Sequence, residues 1–256
     1  MENRKPDSHK GDNGKVMIIG GNENFHGAPI LCSLGAEYSG ADLIFPFIPP
    51  RHTEVARGYS LNFIIHTFEG PHLTSKDVKS ILNFSQKVDV VVIGPGLGSD
   101  AKTQSAVKKI LANLKVPTVV DASALIYTNS YPKETLLTPH RGEFKALTGD
   151  DPTTKNVQKW AKSLGVTIVC KGPEDIIANS DQLALNKTGT PQMTVGGSGD
   201  VLSGLIGGLI AQGYDLFEAA QIGTKVLGET GELLSQRQET FRAIDLAKEI
   251  PFILND

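Results

Sequence analysis

The sequence predicts an α/β fold, a three-layer α/β/α sandwich with a mostly parallel central sheet. Over most of the 256 residues, short apolar segments alternate with amphipathic segments, which is the pattern of repeated strand and helix units. Several apolar segments lack polar alternation, as expected of strands that helices cover on both faces. A chain of this length commonly folds as one α/β unit, and it contains no repeat or linker, so we predict a single domain over residues 1–256.

Seven apolar segments are predicted to form the parallel part of the sheet. In chain order they are KVMIIG (15–20), ADLIFPFI (41–48), LNFIIH (61–66), VDVVVIG (88–94), PTVVD (117–121), TLLT (135–138) and VTIVCK (166–171). Two shorter segments, DIIAN (175–179) and QLALN (182–186), predict an antiparallel edge. The last third predicts helices over 199–211, 216–235 and 242–250. The first of these helices is expected to pack closely against a neighbouring element through Gly204, Gly207 and Gly208.

The composition argues against several classes of protein. A formal net charge of -3, with no basic excess, argues against a nucleic-acid or anionic-membrane partner. The longest apolar segments fall well short of the roughly 20 residues that span a bilayer, and the N-terminal segment lacks an apolar signal region. Cys32 and Cys170 lack metal-ligand spacing, which indicates two reduced, half-buried thiols. We therefore expect a cytoplasmic protein with no nucleic-acid and no membrane partner.

The segment GGSGD at residues 196–200 predicts an anion site in front of a helix. Gly196, Gly197 and Gly199 can adopt positive φ and turn successive amides inward, and the helix that follows adds unpaired amides and the positive end of its dipole. Asp200 is ionised at neutral pH and can accept a hydroxyl proton while these amides hold a phosphoryl group. The alternative is a simple helix-stabilising acid, but capping requires only one residue and no glycine-rich loop. The segment therefore predicts phosphoryl transfer to a hydroxyl.

Unusual residues cluster where the predicted strands end. GGNENFHGA follows the first strand, GPGLG the fourth, DASAL the fifth, TPHRGE the sixth and KGPED the seventh. Ligands of open α/β sheets bind beyond the carboxyl ends of the strands, so we expect these segments to form one shared site. The sequence contains neither a Walker motif nor a Rossmann fingerprint.

Eight motifs, taken together and in order, resemble those of one family. They are HKGDNGKVMIIGG (9–21), HGA (26–28), VVIGPGLG (91–98), VVDASAL (119–125), LLTPHRGEF (136–144), VCKG (169–172), NKTGTPQM (186–193) and GGSGDVLSG (196–204). The combination resembles the ADP/ATP-dependent NAD(P)H-hydrate dehydratases of the ribokinase-like superfamily. This resemblance implies a ribokinase-like fold and a lyase that repairs nicotinamide nucleotides. In that reaction ADP or ATP, with Mg²⁺, first phosphorylates the C6 hydroxyl of (S)-NADH hydrate or (S)-NADPH hydrate. Overall the hydrate then loses one molecule of water.

The resemblance also implies roles for individual residues. Asp200 would be the base for the C6 hydroxyl, and the transferred phosphoryl group would be held by the amides of Gly197, Ser198 and Gly199. The hydrated dinucleotide would lie against Gly27, Ala28, Gly96 or Gly98, His140 and Asp200. The adenine nucleotide would lie against Lys171, Gly172, Pro173, Glu174, Asp175, Asn186, Thr188 and Gly199. Mg²⁺ would be organised through water by Glu143.

Simpler interpretations stay open for four of these residues. His140 can be a hydrogen-bonded turn histidine, and Gly96 can serve only its turn. Lys171 can be a solvated loop lysine. Glu143 can be an acid that stabilises a helix N-terminus.

The chain departs from the family pattern at four positions. It has DASAL, TPHRGE and GGSGD where the family usually has DADAL, TPHPGE and GGTGD, and Gln192 replaces a glycine. Ser198 keeps the hydroxyl of threonine, whereas Ser123 removes a carboxylate. Two other functions stay open, and Ser123 and Gln192 are the features that keep the second of them open. One is a ribokinase-like kinase of a small alcohol or vitamin precursor, and the other is a non-catalytic nucleotide sensor.

Further expectations concern assembly and the N-terminal segment. Relatives form homo-oligomers, often tetramers, which the resemblance implies here too, and the choice between ADP and ATP is left open. Many relatives carry an N-terminal epimerase domain, and because few residues precede His9 we expect that domain to be absent. We derive no role for His9 and Lys10. Four other histidines lack metal-ligand spacing and are interpreted as surface or strand-end residues: His26, His52, His66 and His72.

Overall fold

The structure, a computed structural model, describes residues 7–128 and 130–254. Its strands are β1 (Lys15–Ile19), β2 (Leu43–Ile48), β3 (His66–Thr67), β4 (Val90–Ile93), β5 (Thr118–Val120), β6 (Thr135–Leu137), β7 (Thr167–Cys170), β8 (Asp175–Ala178) and β9 (Leu183–Asn186). Its α-helices are α1 (Gly27–Tyr38), α2 (Thr53–Tyr59), α3 (Val78–Ser85), α4 (Ala101–Leu111), α5 (Arg141–Thr148), α6 (Thr154–Leu164), α7 (Ser198–Ala211), α8 (Leu216–Arg237) and α9 (Ala243–Leu254). Short 3₁₀ helices lie at Pro50–His52, Ala122–Ile126 and Pro191–Met193.

All the strands belong to one sheet, in the order β3-β2-β1-β4-β5-β6-β7-β8-β9. The neighbouring pairs from β3 to β7 are parallel, with Val16 of β1 opposite both Ile44 of β2 and Val90 of β4. The last two strands form the antiparallel edge that DIIAN and QLALN predict, with Cys170 opposite Ile176. The carboxyl ends of the parallel strands therefore lie along one edge of the sheet.

Alternate residues of the strands enter two separate hydrophobic cores. Val16 and Ile18 pack on one face with residues of α1, α7, α8 and α9. Met17 and Ile19 pack on the other face with residues of α3, α4, α5 and α6. Since helices cover both faces of one mostly parallel sheet, the predicted three-layer sandwich is confirmed.

Two details differ from the sequence-based predictions. The segment 61–66 is not a full strand: only His66 and Thr67 pair with β2, apart from a single bridge between Phe63 and Ile44. Leu61 is 98% exposed, so the apolar start of that segment has no neighbour in the core. The two cysteines are fully buried rather than half-buried, and both are unpaired.

Helices α1 and α7 pack against each other through glycines. A Cβ at Gly204 would overlap the carbonyl oxygen of Cys32, and a Cβ at Gly35 would overlap that of Val201. The predicted close packing of Gly204 and Gly208 is thus against α1, whereas Gly207 faces Val92 of the sheet. This contact places the N-termini of both helices at the carboxyl edge of the sheet. Across residues 7–128 and 130–254, we find no helix of the length and apolarity that a membrane crossing requires.

Candidate active site

The glycine-rich loop ends in a left-handed residue that starts α7. Gly197 has φ of 101° and is the N-cap, so that Ser198 begins the helix and Asp200 lies in its first turn. Positive φ is confined to Gly197 in this loop, which corrects the expectation for Gly196 and Gly199. Gly199 is helical, and its lack of a side chain serves another purpose: a Cβ there would lie 3.0 Å from Lys171 Nζ. The ammonium group of Lys171 therefore rests on the first turn of α7.

The start of α7 presents open backbone amides. Within the described part of the chain, the amides of Gly197, Gly199 and Asp200 have no hydrogen-bond acceptor. The amide of Ser198 instead makes a long bond of 3.4 Å to the carbonyl oxygen of Val195. Unpaired amides at a helix N-terminus attract anions, because the N–H groups and the helix dipole act together.

Asp200 is a carboxylic acid with an unusually high affinity for its proton. Burial, together with the negative charges of Asp121 and Glu143, raises the pKa of Asp200 from 3.8 to about 7, while Lys171 acts in the opposite direction. A side chain with this pKa is partly ionised at neutral pH and can exchange a proton with a bound hydroxyl.

A buried ion pair lies beside Asp200. Lys171, just after β7, places Nζ 3.0 Å from Oδ1 of Asp121, just after β5. The two side chains are 19% and 2% exposed, so Lys171 is not a solvated loop lysine. Burial alone would lower the pKa of Lys171, but the carboxylates of Asp121, Glu143 and Asp200 raise it above its ordinary value. Lys171 is therefore a fixed cation at the entrance of α7.

A cavity of about 520 Å³ opens next to this group of charges. Residues predicted to bind the nucleotide that line it are Lys171, Gly172, Pro173, Asp175, Thr188 and Gly199. Lining residues without a predicted role include Thr190, Met193, Leu202, Thr224, Leu227 and Gly228. Thr190 and Met193 belong to the NKTGTPQM motif, whereas Leu202, Thr224, Leu227 and Gly228 come from helices whose packing sets the direction of their side chains.

Two predicted nucleotide residues, Asn186 and Glu174, do not line this cavity. Asn186 donates 3.0 Å from Nδ2 to Asp175, whose other oxygen accepts from the amide of Gly172 at 3.0 Å. These bonds hold the KGPED loop, and burial raises the pKa of Asp175. Glu174 instead faces Lys187, at 3.4 Å. Asn186 thus supports the site through Asp175.

His140 and Glu143 form a capping box at the start of α5. Nδ1 of His140 accepts from the amides of Gly142 and Glu143 at 3.0 and 3.2 Å, which assigns the ring proton to Nε2. Glu143 Oε2 accepts from the His140 amide at 2.8 Å. Both residues therefore have the structural roles that the simpler interpretations describe. His140 is also exposed and lines the cavity, together with Lys171 and Gly199.

The loops after β1 and β4 touch each other at the remaining predicted substrate residues. A Cβ at Gly96, where φ is 69°, would lie 3.1 Å from the Cβ of Ala28 and 3.2 Å from that of Phe25. The amide of Gly21 donates to the carbonyl oxygen of Pro95 at 2.8 Å. The structure thus brings the HGA and GPGLG motifs together. It adds Phe25, whose ring is 57% exposed there and which sequence reasoning did not single out.

His9 and Lys10 lie away from the site, whereas His52 lies beside the loop that follows β1. The HKG segment precedes Gly14, which contacts Ala211 at the far end of α7, so His9 and Lys10 are remote from Asp200. His52 is buried rather than exposed, and its Nε2 lies 2.6 Å from the carbonyl oxygen of Asn22. In the ranges that the structure covers, there is no group of three His, Cys, Asp or Glu side chains that could hold a metal ion.

Comparison with known proteins is decisive for the family. A family model described as NAD(P)H-hydrate dehydratase matches residues 16–252. The chain belongs to this family.

Individual members of the NAD(P)H-hydrate dehydratase family match along nearly the whole chain. An ADP-dependent (S)-NAD(P)H-hydrate dehydratase of Nitrosopumilus maritimus is 36% identical, over 99% of this chain and 93% of the relative. A bifunctional NAD(P)H-hydrate repair enzyme of Pyrobaculum aerophilum is 37% identical, over 98% of this chain and 52% of the relative. The chain spans about half the length of the first curated relatives that it matches.

A solved structure shares the fold. The ADP/ATP-dependent NAD(P)H-hydrate dehydratase of Bacillus subtilis, co-crystallised with ATP and Mg²⁺, has a TM-score of 0.86 and 27% identity. The match covers 100% of this chain and 94% of that one. The ribokinase-like fold implied by the motifs is confirmed.

The departures from the family pattern occupy distinct places. Ser123 Oγ is buried, and among the described side chains it is the one buried polar atom that makes no hydrogen bond. Gln192 is exposed and does not line the cavity. Arg141 lies against the KGPED loop: a Cβ at Gly172 would be 2.7 Å from Arg141 Nε. In the sequence, the arginine of the TPHRGE motif, which replaces the usual proline, was the feature that could have pointed to the contact between Arg141 and Gly172.

Proposed function

We propose that this protein is a lyase that dehydrates (S)-NADH hydrate or (S)-NADPH hydrate to NADH or NADPH and consumes ADP or ATP. The observation that carries the proposal is the start of α7. There Asp200 lies in the first turn of α7, which presents the open amides of Gly197 and Gly199, with the ammonium of Lys171 against the same turn. This arrangement suits the transfer of a phosphoryl group to a hydroxyl.

The chemistry assigns each group a task. Asp200 accepts the proton of the C6 hydroxyl as the hydroxyl oxygen attacks the terminal phosphorus of the nucleotide. The bond between that phosphorus and the bridging oxygen of the nucleotide then breaks. ADP then leaves as AMP, or ATP as ADP. The ring nitrogen next pushes in its lone pair, the C6–O bond breaks with release of inorganic phosphate, and C5 loses a proton. Hydroxide is a poor leaving group and phosphate a good one, which explains a kinase-like site in a lyase.

The 520 Å³ cavity is proposed to bind the adenine nucleotide. It adjoins Lys171 and Gly199, so that the terminal phosphate of a nucleotide bound there would reach the open amides of α7. The hydrated dinucleotide is proposed to bind near Gly27, Ala28, Gly96 and Gly98, where the loops after β1 and β4 meet. Asp200 belongs to α7, whose N-terminus adjoins the N-terminus of α1. This supports a position of Asp200 between the two ligands.

Mg²⁺ is part of the proposal as a partner of the nucleotide phosphates. Oε2 of Glu143 accepts from the His140 amide, which leaves Oε1 with only the His140 ring nitrogen at 3.6 Å. Oε1 can therefore accept a hydrogen bond from metal-bound water, which fits an ion held mainly by phosphates and water. When bound, the ion would neutralise phosphate charge.

Domain organisation, assembly and location complete the proposal. One sheet with a core on each face supports a single domain. Exposed apolar side chains, among them Leu61 at 98% and Phe252 at 65%, support a homo-oligomer such as a tetramer. Two unpaired thiols support a reducing compartment, the cytoplasm.

The test is incubation with hydrated NADH and either ADP or ATP, followed by the absorbance of the reduced nicotinamide ring. Recovery of that absorbance, with release of inorganic phosphate, is the expected result. A stable phosphate ester formed from a small alcohol, with no recovery, would instead identify a small-molecule kinase. Nucleotide binding without turnover of either substrate would identify a sensor.

A further inference from the structure

We infer that Asp121 is a positioning residue: it holds the Lys171 ammonium against the first turn of α7 and keeps that cation from pairing with Asp200. The inference rests on the proposed function, since it assigns Asp200 the role of base. It is carried by the geometry of the corner that follows β5.

The pair between Asp121 and Lys171 connects two strands that are not neighbours. Asp121 follows β5 and Lys171 follows β7, with β6 between them. Nζ nevertheless lies 3.0 Å from Oδ1, with only 2% of the Asp121 side chain exposed. A lysine has a long, flexible stem and a compact charge, so a buried carboxylate is needed to hold its ammonium at one point.

The backbone around Asp121 is held in an unusual conformation. Ala122 has φ of 50° and is, among the residues that can be described, the one non-glycine with positive φ. Gly94 approaches so closely that a Cβ would overlap the Asp121 carbonyl oxygen. The Asp121 amide donates to the carbonyl oxygen of Ile93 at 3.0 Å. Strain of this kind persists where surrounding structure holds a functional group in place, which fits a carboxylate that must point at Lys171.

The charges around Asp200 explain why the position of Lys171 matters. Asp121 and Glu143 face Asp200 with negative charge, and Lys171 faces it with positive charge. Cys32 of α1 is also near, but burial raises the pKa of its thiol well above the usual value, so it stays neutral. Among these groups Lys171 is the one cation that acts on Asp200. The position of its ammonium group between Asp121 and Asp200 therefore decides how readily Asp200 binds a proton.

The experiment compares Asp121→Asn, Lys171→Met and a control, Asp150→Asn, which removes a carboxylate from an exposed pair with Lys159. The titration of Asp200 is followed through its labelled carboxyl carbon by NMR, assigned with Asp200→Asn. We expect Asp121→Asn to lower the titration midpoint by roughly one pH unit, because the negative charge of Asp121 is lost and Lys171 moves toward Asp200. We expect Lys171→Met to raise it by a similar amount. The control should leave it unchanged. The second contribution to the effect of Asp121→Asn, the movement of Lys171, reports the positioning role: Lys171→Met should raise the midpoint more in the Asp121→Asn background than in the wild type, and an equal rise would overturn the inference.

Activity provides the second reading. In Asp121→Asn the acid limb of kcat/KM for hydrated NADH should move to lower pH, with the plateau reduced roughly 10- to 100-fold as the cation leaves α7. Asp121→Glu should recover part of this plateau. A loss of thermal stability with an unchanged Asp200 titration would show a merely structural role and overturn the inference. If Asp121→Asn does not fold, a failure of Lys171→Met to raise the midpoint overturns it equally.

The two proposals fail separately. An inactive wild-type protein, with ADP and with ATP, would remove the dehydratase, while the titration of Asp200 would still decide the role of Asp121. Conversely, the wild type could be active while the substitutions at Asp121 and Lys171 leave the titration midpoint of Asp200 unchanged. That result would keep the dehydratase and remove the positioning role.

Discussion

Asp200 shows at the scale of one residue how burial prepares a group for chemistry. Asp200 is a stronger base than an ordinary aspartate, because burial and the nearby carboxylates raise its pKa to about 7. The sequence identified Asp200 from the glycines before it. It could not reveal the raised pKa, because both the burial and the nearby charges depend on segments that are distant in the chain, up to about 80 residues away.

The first prediction concerns pH. Because Asp200 must be ionised to accept a proton, kcat/KM for hydrated NADH should fall about tenfold per pH unit below a midpoint near the pKa of about 7. Initial rates over a range of pH, with stability checked at each value, provide the measurement. A midpoint near the ordinary aspartate value of 3.8 would contradict the raised pKa of the base.

The second prediction concerns stability. A carboxyl group whose folded pKa is raised binds its proton more tightly in the folded state, so its favourable contribution is present below about pH 4 and is lost as pH rises through 7. Asp200→Asn should therefore be more stable than the wild type at about pH 8, by a few degrees in Tm, and lose this advantage at about pH 4. The exposed variant Asp150→Asn should show no such gain, since Lys159 lowers the pKa of Asp150. Equal stability of Asp200→Asn and wild type at the higher pH would contradict the burial of this charge.

At the scale of elements, the contact of α1 with α7 fixes the site. Glycines on both helices let the backbones meet, and the same contact places Gly197 against Leu31 at the start of α1. The sequence predicted close packing from Gly204, Gly207 and Gly208. It could not identify α1 as the partner, since glycine spacing describes one surface of a contact and not the other.

The third prediction tests that contact. Gly204→Ala should lower the free energy of unfolding by about 1–3 kcal/mol, because the new Cβ would overlap the Cys32 carbonyl oxygen. Gly58→Ala is the matched control, since Gly58 lies in α2 with no atom within 4 Å of its Cβ position. This control should gain up to about 1 kcal/mol from helix propensity. Chemical denaturation of both variants gives the comparison, and a neutral Gly204→Ala would mean that the helices are farther apart.

Strand predictions succeeded or failed according to burial. Segments such as VDVVVIG are apolar on both faces and became central strands. LNFIIH has a similar apolar composition, but Leu61 is exposed and only the last residue of the segment joins β3. The strand prediction failed here because apolar composition cannot distinguish the edge of a sheet from its centre.

At the scale of the whole molecule, the order of the strands assembles the site. Asp121 and Lys171 are separated by 50 residues and by one intervening strand, yet the long lysine side chain crosses the end of β6 to reach the carboxylate. The motifs predicted that such residues would share one edge of the sheet. They could not predict this pair, because the order β5-β6-β7 and the direction of each side chain depend on the packing of all three layers.

The measurement that tests the central claim most directly compares the wild type with Asp200→Asn. Both are given hydrated NADH and ADP at about pH 8, while calorimetry measures the affinity for ADP. Removal of the base should lower the rate of NADH recovery by roughly 10²- to 10⁴-fold, while ADP should still bind at least as tightly as to the wild type, since Asp200 does not line the cavity. A variant that keeps the wild-type rate would contradict the assignment of Asp200 and with it the proposed reaction at the start of α7.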